Sequence, residues 1–175
     1  EQIISLLGRH SAKAGRAAAE AAARERAQTV LPDDAGRVAN LRALADLYLH
    51  LLDDPARALD ASKRLLQQVP HDRPALRQSL VCALRLRDYR AAVDAATRLA
   101  AVEPSSSEVC NLHLQIAAWR EGHIEPAEDP LPQYVRILEF DPQHPIALRS
   151  LERLYVERRA WEALFLLYER EGEAL

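Results

Sequence analysis

Four prolines, each directly after an apolar segment with helical periodicity, divide this chain at nearly regular intervals. They are Pro32, Pro70, Pro104 and Pro142, separated by 38, 34 and 38 residues, and 33 residues follow the last of them. Proline lacks a backbone N–H and its ring clashes with the preceding turn, so each one marks the end of a helix. A boundary that recurs at this interval predicts a repeat built from small helical units.

The last unit shows the internal pattern most clearly. Leu148, Leu151, Leu154 and Tyr155 recur at helical spacing, a short polar turn follows, and a second apolar stripe begins at Trp161. Two amphipathic helices joined by a tight turn form an antiparallel helical hairpin. One hairpin cannot bury its apolar face alone, so several of them must stack.

Capping residues support the same division. Asp54 followed by Pro55 is typical of an N-cap and the first position of a helix. Asp72 and Ser106 stand where the first helix of the next unit needs a side-chain acceptor. His144 is predicted to be a turn or cap residue rather than a catalytic base.

These units resemble tetratricopeptide repeats (TPR), hairpins of 34 residues marked by Leu, small, aromatic, Ala and Pro positions. The matching residues are Leu148, Leu151, Tyr155, Trp161 and Tyr168 in the last unit; Leu76, Tyr89, Ala92 and Pro104 in the third; Leu41, Leu44, Ala45, Tyr48, Ala58 and Pro70 in the second; and Ile4, Leu7, Gly8 and Pro32 in the first. Leu80 and Leu164 depart from the pattern, since the family prefers a small residue there.

The resemblance implies an all-α fold, an α-solenoid of about five stacked antiparallel hairpins in a single superhelical domain, 1–175. The repeats are expected at the following positions: 1–34, 35–71, 72–105, 106–143 and 144–175. The first repeat is the least regular, because its second helix is expected to be little more than GRAAAEAAARERA.

The net charge and the lack of catalytic motifs argue against several classes of function. The formal net charge is −3 and no run of Lys or Arg occurs, so a nucleic-acid binder is not predicted. The sequence contains no P-loop, nucleophile elbow, dinucleotide-binding glycine motif or zinc-protease motif. We therefore predict a protein that is not an enzyme and uses no cofactor and no metal.

Other features of the sequence indicate the cellular compartment and the source of the protein. No apolar stretch reaches the length of a membrane span, and no signal peptide is present, so a cytoplasmic protein is expected. Cys82 and Cys110 are isolated and are predicted to be reduced core residues. Abundant Arg and Ala indicate a bacterial source. Because the sequence begins at Glu1 and lacks Met, we expect that the native N-terminus is missing. The last helix has no polar capping helix after it, so we expect either a fragment of a longer array or a last helix that pairs with something.

The resemblance also implies a site, because TPR proteins bind partners on a concave groove lined by the first helix of each repeat. Aligning the units places eight residues on or near that groove: Arg42, His50, Arg77, Arg85, Asn111, Gln115, Arg149 and Arg153. Guanidinium groups bind carboxylates through two parallel hydrogen bonds. The expected partner is another protein or peptide, with acidic residues. The alternative, that these are solvated residues of an Arg-rich chain, stays open.

Two further segments are candidates for a functional role. The segment 123–132 lengthens the turn of the fourth unit, and it is read as a plain polar loop, a partner-contact loop or, least favoured, a metal site of His123, Glu125, Glu128 and Asp129. The last helix keeps an apolar face with no polar helix after it. Self-association through this helix is therefore a further expectation.

The leading function is a scaffold that binds a partner segment in its groove. One alternative is a helical-repeat RNA-binding module, which the net charge of −3 disfavours. Another is a regulatory TPR region of a larger enzyme, which would still act by binding.

Overall fold

The structure, a computed structural model, describes the backbone of residues 2–31 and 33–173 and the side chains of residues 13–31 and 33–169. All regular secondary structure in these residues is helical, which confirms the predicted all-α class. The helices are α1 Gln2–Gln28, α2 Asp34–Asp46 with a π-helical extension Leu47–Leu51, α3 Pro55–Gln68, α4 Arg73–Arg85, α5 Tyr89–Ala100, α6 Ser106–Gly122, α7 Leu131–Phe140, α8 Pro145–Glu157 and α9 Trp161–Glu173.

The chain forms two compact units, with a boundary at Ala95 and Ala96 inside α5. In the first unit α2 packs against α3, and α3 packs against α4. In the second unit α6 packs against α7, α7 against α8, and α8 against α9. Hairpins that stack in chain order are the architecture of an α-solenoid, as predicted. That all 175 residues form one superhelical domain stays a prediction.

The prediction of two helices in the first repeat was wrong, because residues 2–28 form the single helix α1. Gly15, where the second helix was expected to begin, lies exposed within α1. Glycine costs about 1 kcal/mol in a helix interior, and the strong helix formers on both sides outweigh that cost. Buried Ala17 and Ala21 face the core. Pro32 and the side chains of Ile4 and Leu7 lie outside the described residues.

The other proline boundaries are confirmed, since Pro70, Pro104 and Pro142 all lie between helices. The caps largely follow the prediction too. The Asp54 carboxylate accepts a hydrogen bond from the Arg57 backbone N–H at 3.0 Å. His144 accepts one from the Ala147 N–H through Nδ1 at 3.4 Å.

The predicted N-cap of α6 was wrong by one residue. The backbone enters the helix one residue earlier than predicted, so Ser105, rather than Ser106, accepts the Glu108 N–H at 3.4 Å. Asp72 caps α4 as predicted, since its Oδ1 accepts the Ala75 N–H at 2.9 Å.

The turns of three hairpins have the same backbone conformation. Asp53, Arg87 and Arg159 each have a positive φ, between 53° and 57°, two residues after the end of the first helix of its hairpin. After each of these residues the next backbone N–H donates to a carbonyl of the preceding helix: Asp54 to Tyr48 at 2.8 Å, Asp88 to Ala83 at 2.9 Å and Ala160 to Tyr155 at 2.9 Å. A left-handed residue with this hydrogen bond ends a helix and reverses the chain.

Each unit buries its own apolar core. Leu41, Leu44, Leu65 and Leu76 are at most 1% exposed in the first unit. A buried cluster in the second unit contains Cys110, Ala117, Tyr134, Ile137, Leu138, Ala147, Leu151, Leu154 and Leu167. Ala45 and Ala58 are fully buried, which lets neighbouring helices approach closely.

Both cysteines are free and buried, as predicted. Burial raises the pKa of the Cys82 and Cys110 thiols, which keeps them protonated and unreactive at neutral pH. Among the described residues no helix combines the length and the apolarity that a membrane span requires.

Candidate partner-binding cleft

A cleft of about 320 Å³ lies between α2 and α4 in the first unit. Three of the predicted groove residues line it: Arg42, His50 and Arg77. The remaining lining residues are Asp46, Leu49, Leu65, Pro74, Ala75, Gln78 and Val81. We call this set the α2–α4 cleft.

Helical spacing brings these side chains together. On α2 and its extension, Arg42, Asp46 and Leu49 recur at four and three residues, so they share one face. On α4, Pro74, Arg77, Gln78 and Val81 recur at three and four residues. Two such faces, set side by side by the stacking of hairpins, form the walls of the cleft.

The α2–α4 cleft has an apolar floor and a polar rim. Leu49, Leu65 and Ala75 are buried beneath it, and Val81 is half-exposed on its wall. Arg42 and Arg77 are exposed on the rim. An apolar pocket with a few oriented polar groups is typical of a binding site.

Hydrogen bonds tie the two walls together and reduce the free positive charge. Arg42 donates to the Asp72 Oδ2 at 2.5 Å. Gln78 Nε2 donates to the Asp46 Oδ1 at 3.2 Å. Acidic neighbours therefore balance part of the positive charge that the sequence predicted for the groove.

Arg85, another predicted groove residue, is ion-paired with Asp53 in the turn after α2. That hydrogen bond raises the pKa of the Arg85 guanidinium, with the Coulombic attraction of the carboxylate as a further cause. Because Arg85 already holds a carboxylate within the chain, a partner carboxylate would have to compete for it.

The other four predicted residues lie in the second unit. Asn111 and Gln115 are exposed on α6, and Arg149 and Arg153 are exposed on α8. Arg153 is ion-paired with Glu121 at 2.7 Å and with Glu157 at 3.2 Å. Hydrogen bonds from Arg153, first to Glu121 and then to Glu157, raise the pKa of its guanidinium.

Sequence reasoning missed the acids that engage these arginines. Asp53 precedes Arg85 by 32 residues, and Glu121 precedes Arg153 by the same separation. In both pairs, an acidic residue near the end of the first helix of one hairpin precedes an Arg on the first helix of the next hairpin by 32 residues. This spacing is visible in the sequence. It indicates contacts between repeats rather than contacts with a partner.

The loop between α6 and α7, residues 123–130, is held by hydrogen bonds to helices of the second unit. Asp129 receives two hydrogen bonds from the Arg158 guanidinium, at 2.6 and 3.0 Å. Arg120 Nη1 donates to the Asp129 carbonyl at 3.3 Å, and Ile124 is buried. The Arg158 guanidinium is the main cause that holds the pKa of the Asp129 carboxyl below its usual range. Within the described residues, no three His, Cys, Asp or Glu side chains form a group that could hold a metal.

No protein-family model matches this sequence, and no curated protein matches it. The crystal structure of MamA is similar at 15% sequence identity, over 91% of this chain and 91% of that chain, with a TM-score of 0.49. An identity of 15% identifies neither a partner nor an activity.

Proposed function

We propose that this chain is a non-catalytic, TPR-type protein-interaction module that holds a segment of a partner protein in the α2–α4 cleft. The observation that carries the proposal is the combination, in one cleft of about 320 Å³, of a buried apolar floor and a rim of Arg42, His50 and Arg77. Such a cleft anchors an apolar side chain and orients the polar groups beside it.

The chemistry of the α2–α4 cleft defines the partner segment. Leu49, Leu65 and Ala75 favour one aliphatic or aromatic side chain, because burying it removes apolar surface from water. Arg77 on the rim favours a carboxylate next to that anchor. The expected segment is therefore extended or helical and carries an apolar residue flanked by Asp or Glu.

A defined peptide pair tests this proposal. One labelled peptide of about 12 residues carries Leu between two Glu residues, and its control carries Gln in place of both Glu. Fluorescence anisotropy is expected to show micromolar binding of the acidic peptide and roughly tenfold weaker binding of the amide peptide. Equal affinities for the two peptides would contradict a role for the Arg residues of the rim.

Two variants locate the binding site. Arg77→Glu is expected to weaken acidic-peptide binding at least about tenfold, since it replaces attraction by repulsion. Lys63→Glu makes the same change of charge at an exposed position on α3 that does not line the cleft, and it should change the affinity less than about twofold. A similar loss in both variants would place binding outside the cleft.

A third variant tests the apolar part of the cleft. Val81 is half-exposed, so Val81→Glu is compatible with the fold, yet it places a carboxylate on the wall of the cleft. Loss of peptide binding with unchanged helicity by circular dichroism is the expected result. Unaltered binding would remove the α2–α4 cleft as the anchor site.

A further inference from the structure

Another cavity, of about 440 Å³, lies in the second unit between the end of α5, α6 and α7. Ala100 lines it at the end of α5, Val109 and His113 line it one turn apart on α6, and Arg136 and Phe140 line it one turn apart on α7. We call it the α5–α7 cavity. Sites for small molecules have volumes of roughly 300–1,000 Å³, so this cavity is large enough to hold one.

The α5–α7 cavity is open at a position that the equivalent helices fill. Ala100 lies four residues before the proline that closes its repeat, and Leu66 and Leu138 lie four residues before the prolines that close theirs. Both leucines are buried, with 4% and 2% of their surface exposed. An alanine side chain has three carbons fewer than a leucine side chain, so α5 leaves space where α3 and α7 place core atoms.

A histidine on the wall of the cavity is held in one orientation. His113 is 9% exposed, and its Nδ1 lies 2.7 Å from Oε1 of Gln133 on α7. A carboxamide oxygen only accepts hydrogen bonds, so Nδ1 carries the hydrogen and Nε2 of the neutral ring is an acceptor. Because Gln133 does not line the cavity, the Nε2 edge of the ring is the one that faces it.

The charges around the cavity favour a cation over an anion. Glu103 lines the cavity, and a carboxylate accepts several hydrogen bonds, so it can receive one from a ligand beside its interaction within the chain. Arg136 donates to Glu139 on its own helix, which balances its charge. The charged residues that line the cavity, or that stand next in sequence to a lining residue, are the acids Glu103, Glu108, Glu139 and Asp141 and the cations Arg98 and Arg136. Four acids and two cations attract an ammonium group and repel a carboxylate.

The rest of the wall is apolar. Ala100, Ala101 and Val109 contribute aliphatic surface, and Phe140 contributes a ring that is 44% exposed. A ligand that covers Phe140 removes apolar surface from water, and the face of the ring attracts a cation within about 6 Å. The ligand that suits this wall therefore carries an apolar body as well as a cationic group.

We propose that the α5–α7 cavity binds a small primary amine with an aromatic or branched aliphatic body. The ammonium group donates to Nε2 of His113 and is attracted by the carboxylate of Glu103. The apolar body occupies the space beside Ala100 and covers Phe140. This site is additional to the α2–α4 cleft and takes a ligand of opposite charge.

Three probes that share a phenethyl group and differ in charge test the ligand class: phenethylamine, phenethyl alcohol and hydrocinnamate. Each is titrated to about 10 mM into the isotope-labelled 175-residue chain at about pH 7.5 and followed by heteronuclear NMR. The amine is expected to bind with a Kd on the order of 0.1–1 mM, to shift the backbone amides of Ala101 and Val109, and to bind about tenfold more tightly than the alcohol. Hydrocinnamate should bind more weakly still. Equal affinity for amine and alcohol, or no shift with the amine, would overturn the proposal.

A cavity-filling variant locates the site. Ala100→Leu adds the three carbons that the equivalent helices carry, so it should keep the helicity of the chain and weaken amine binding at least about tenfold. Ala118→Leu makes the same change at an exposed position of α6 outside the cavity, and it should bind the amine like the wild type. Amine binding to Ala100→Leu with the wild-type Kd would show that the amine binds elsewhere.

Two polar variants test the recognition of the ammonium group and do not depend on the folding of Ala100→Leu. His113→Phe keeps a ring and removes the acceptor, and Glu103→Gln removes the charge; each should weaken amine binding about five- to tenfold. Glu103→Gln should change the affinity for the alcohol less than about twofold, and Glu162→Gln, at an exposed position on α9, is the matched control. Wild-type affinity for the amine in both polar variants would contradict the proposal. Acidic-peptide binding in the α2–α4 cleft should be unchanged in Ala100→Leu, so the two proposals can fail independently.

Discussion

The carboxylate of Glu121, near the end of α6, accepts a hydrogen bond of 2.7 Å from the guanidinium of Arg153 on α8. The contact joins the first helices of two successive hairpins. Asp53 and Arg85 form an ion pair at the same sequence separation in the first unit. Both pairs join an acidic residue near the end of one first helix to an Arg on the first helix of the next hairpin, although the two Arg residues occupy different positions in their helices. The Glu121–Arg153 pair is therefore a contact between stacked hairpins.

We expect Arg153→Ala to lower the free energy of unfolding by roughly 0.5–1 kcal/mol, the usual range for a partly exposed ion pair. A double-mutant cycle with Glu121→Ala, measured by urea denaturation, isolates the contribution of the pair. Screening should shrink the coupling energy in about 1 M NaCl. A coupling energy of zero at low salt would show that the two side chains do not stabilise the stacking.

Asp129 predicts a pH dependence of stability. Its pKa is lowered in the folded chain, so it stabilises the fold above its unfolded pKa of about 3.9, and this contribution is lost as the pH falls through the lower folded pKa. Asp129→Asn removes the charge and retains an oxygen for the Leu131 N–H, which Asp129 Oδ1 accepts at 2.9 Å. At pH 7 the variant should be less stable by up to about 1 kcal/mol.

The same comparison at pH 2.5 is the control for this prediction. There the difference in the free energy of unfolding between wild type and Asp129→Asn should shrink, because the wild-type carboxyl begins to bind a proton. An equal difference at both pH values would mean that the Arg158 contact contributes nothing through charge.

Gly15→Ala tests whether α1 is one continuous helix. A Cβ built on Gly15 has nothing within 4 Å, so no clash opposes the change. In a helix interior alanine is favoured over glycine by about 0.8–1 kcal/mol, and helicity by circular dichroism should rise. If Gly15 lay instead in a turn between two helices, the substitution would leave the helicity unchanged or lower it.

The division of the chain into hairpins could be predicted because local chemistry determines it. Pro70 and Pro142 cannot continue a helix, and the carboxylate of Asp54 accepts a backbone N–H that the helix itself leaves unpaired. Gly15 misled the prediction because one glycine weakens a helix without breaking it when its neighbours are strong helix formers.

The candidate site could be predicted only in part, for a different physical reason. Periodicity places Arg42 and Arg77 on equivalent faces, and the structure brings both to the α2–α4 cleft. Periodicity does not show which acid each Arg meets, because Asp72 and Arg42 are 30 residues apart and approach only when hairpins stack. Exposure of Phe165 likewise depends on which neighbour covers α9.

The two oxygens of Asp72 have separate roles, so two substitutions can separate them. Oδ1 accepts the Ala75 N–H and caps α4, while Oδ2 holds the Arg42 guanidinium. Asp72→Ala removes both contacts and should cost about 1–2 kcal/mol of stability, as the loss of a cap does. Asp72→Asn keeps a cap oxygen and should cost less than about 1 kcal/mol, the range of a partly exposed ion pair.

The Asp72→Asn variant also tests the proposed function, since it frees Arg42 on the rim of the α2–α4 cleft. A guanidinium without an internal carboxylate can bind one from the partner, so affinity for the acidic peptide should rise several-fold. The amide peptide, measured by the same anisotropy titration, should bind the variant and the wild type equally. Unchanged affinity for both peptides would show that Arg42 serves the stacking of α2 on α4 and takes no part in binding.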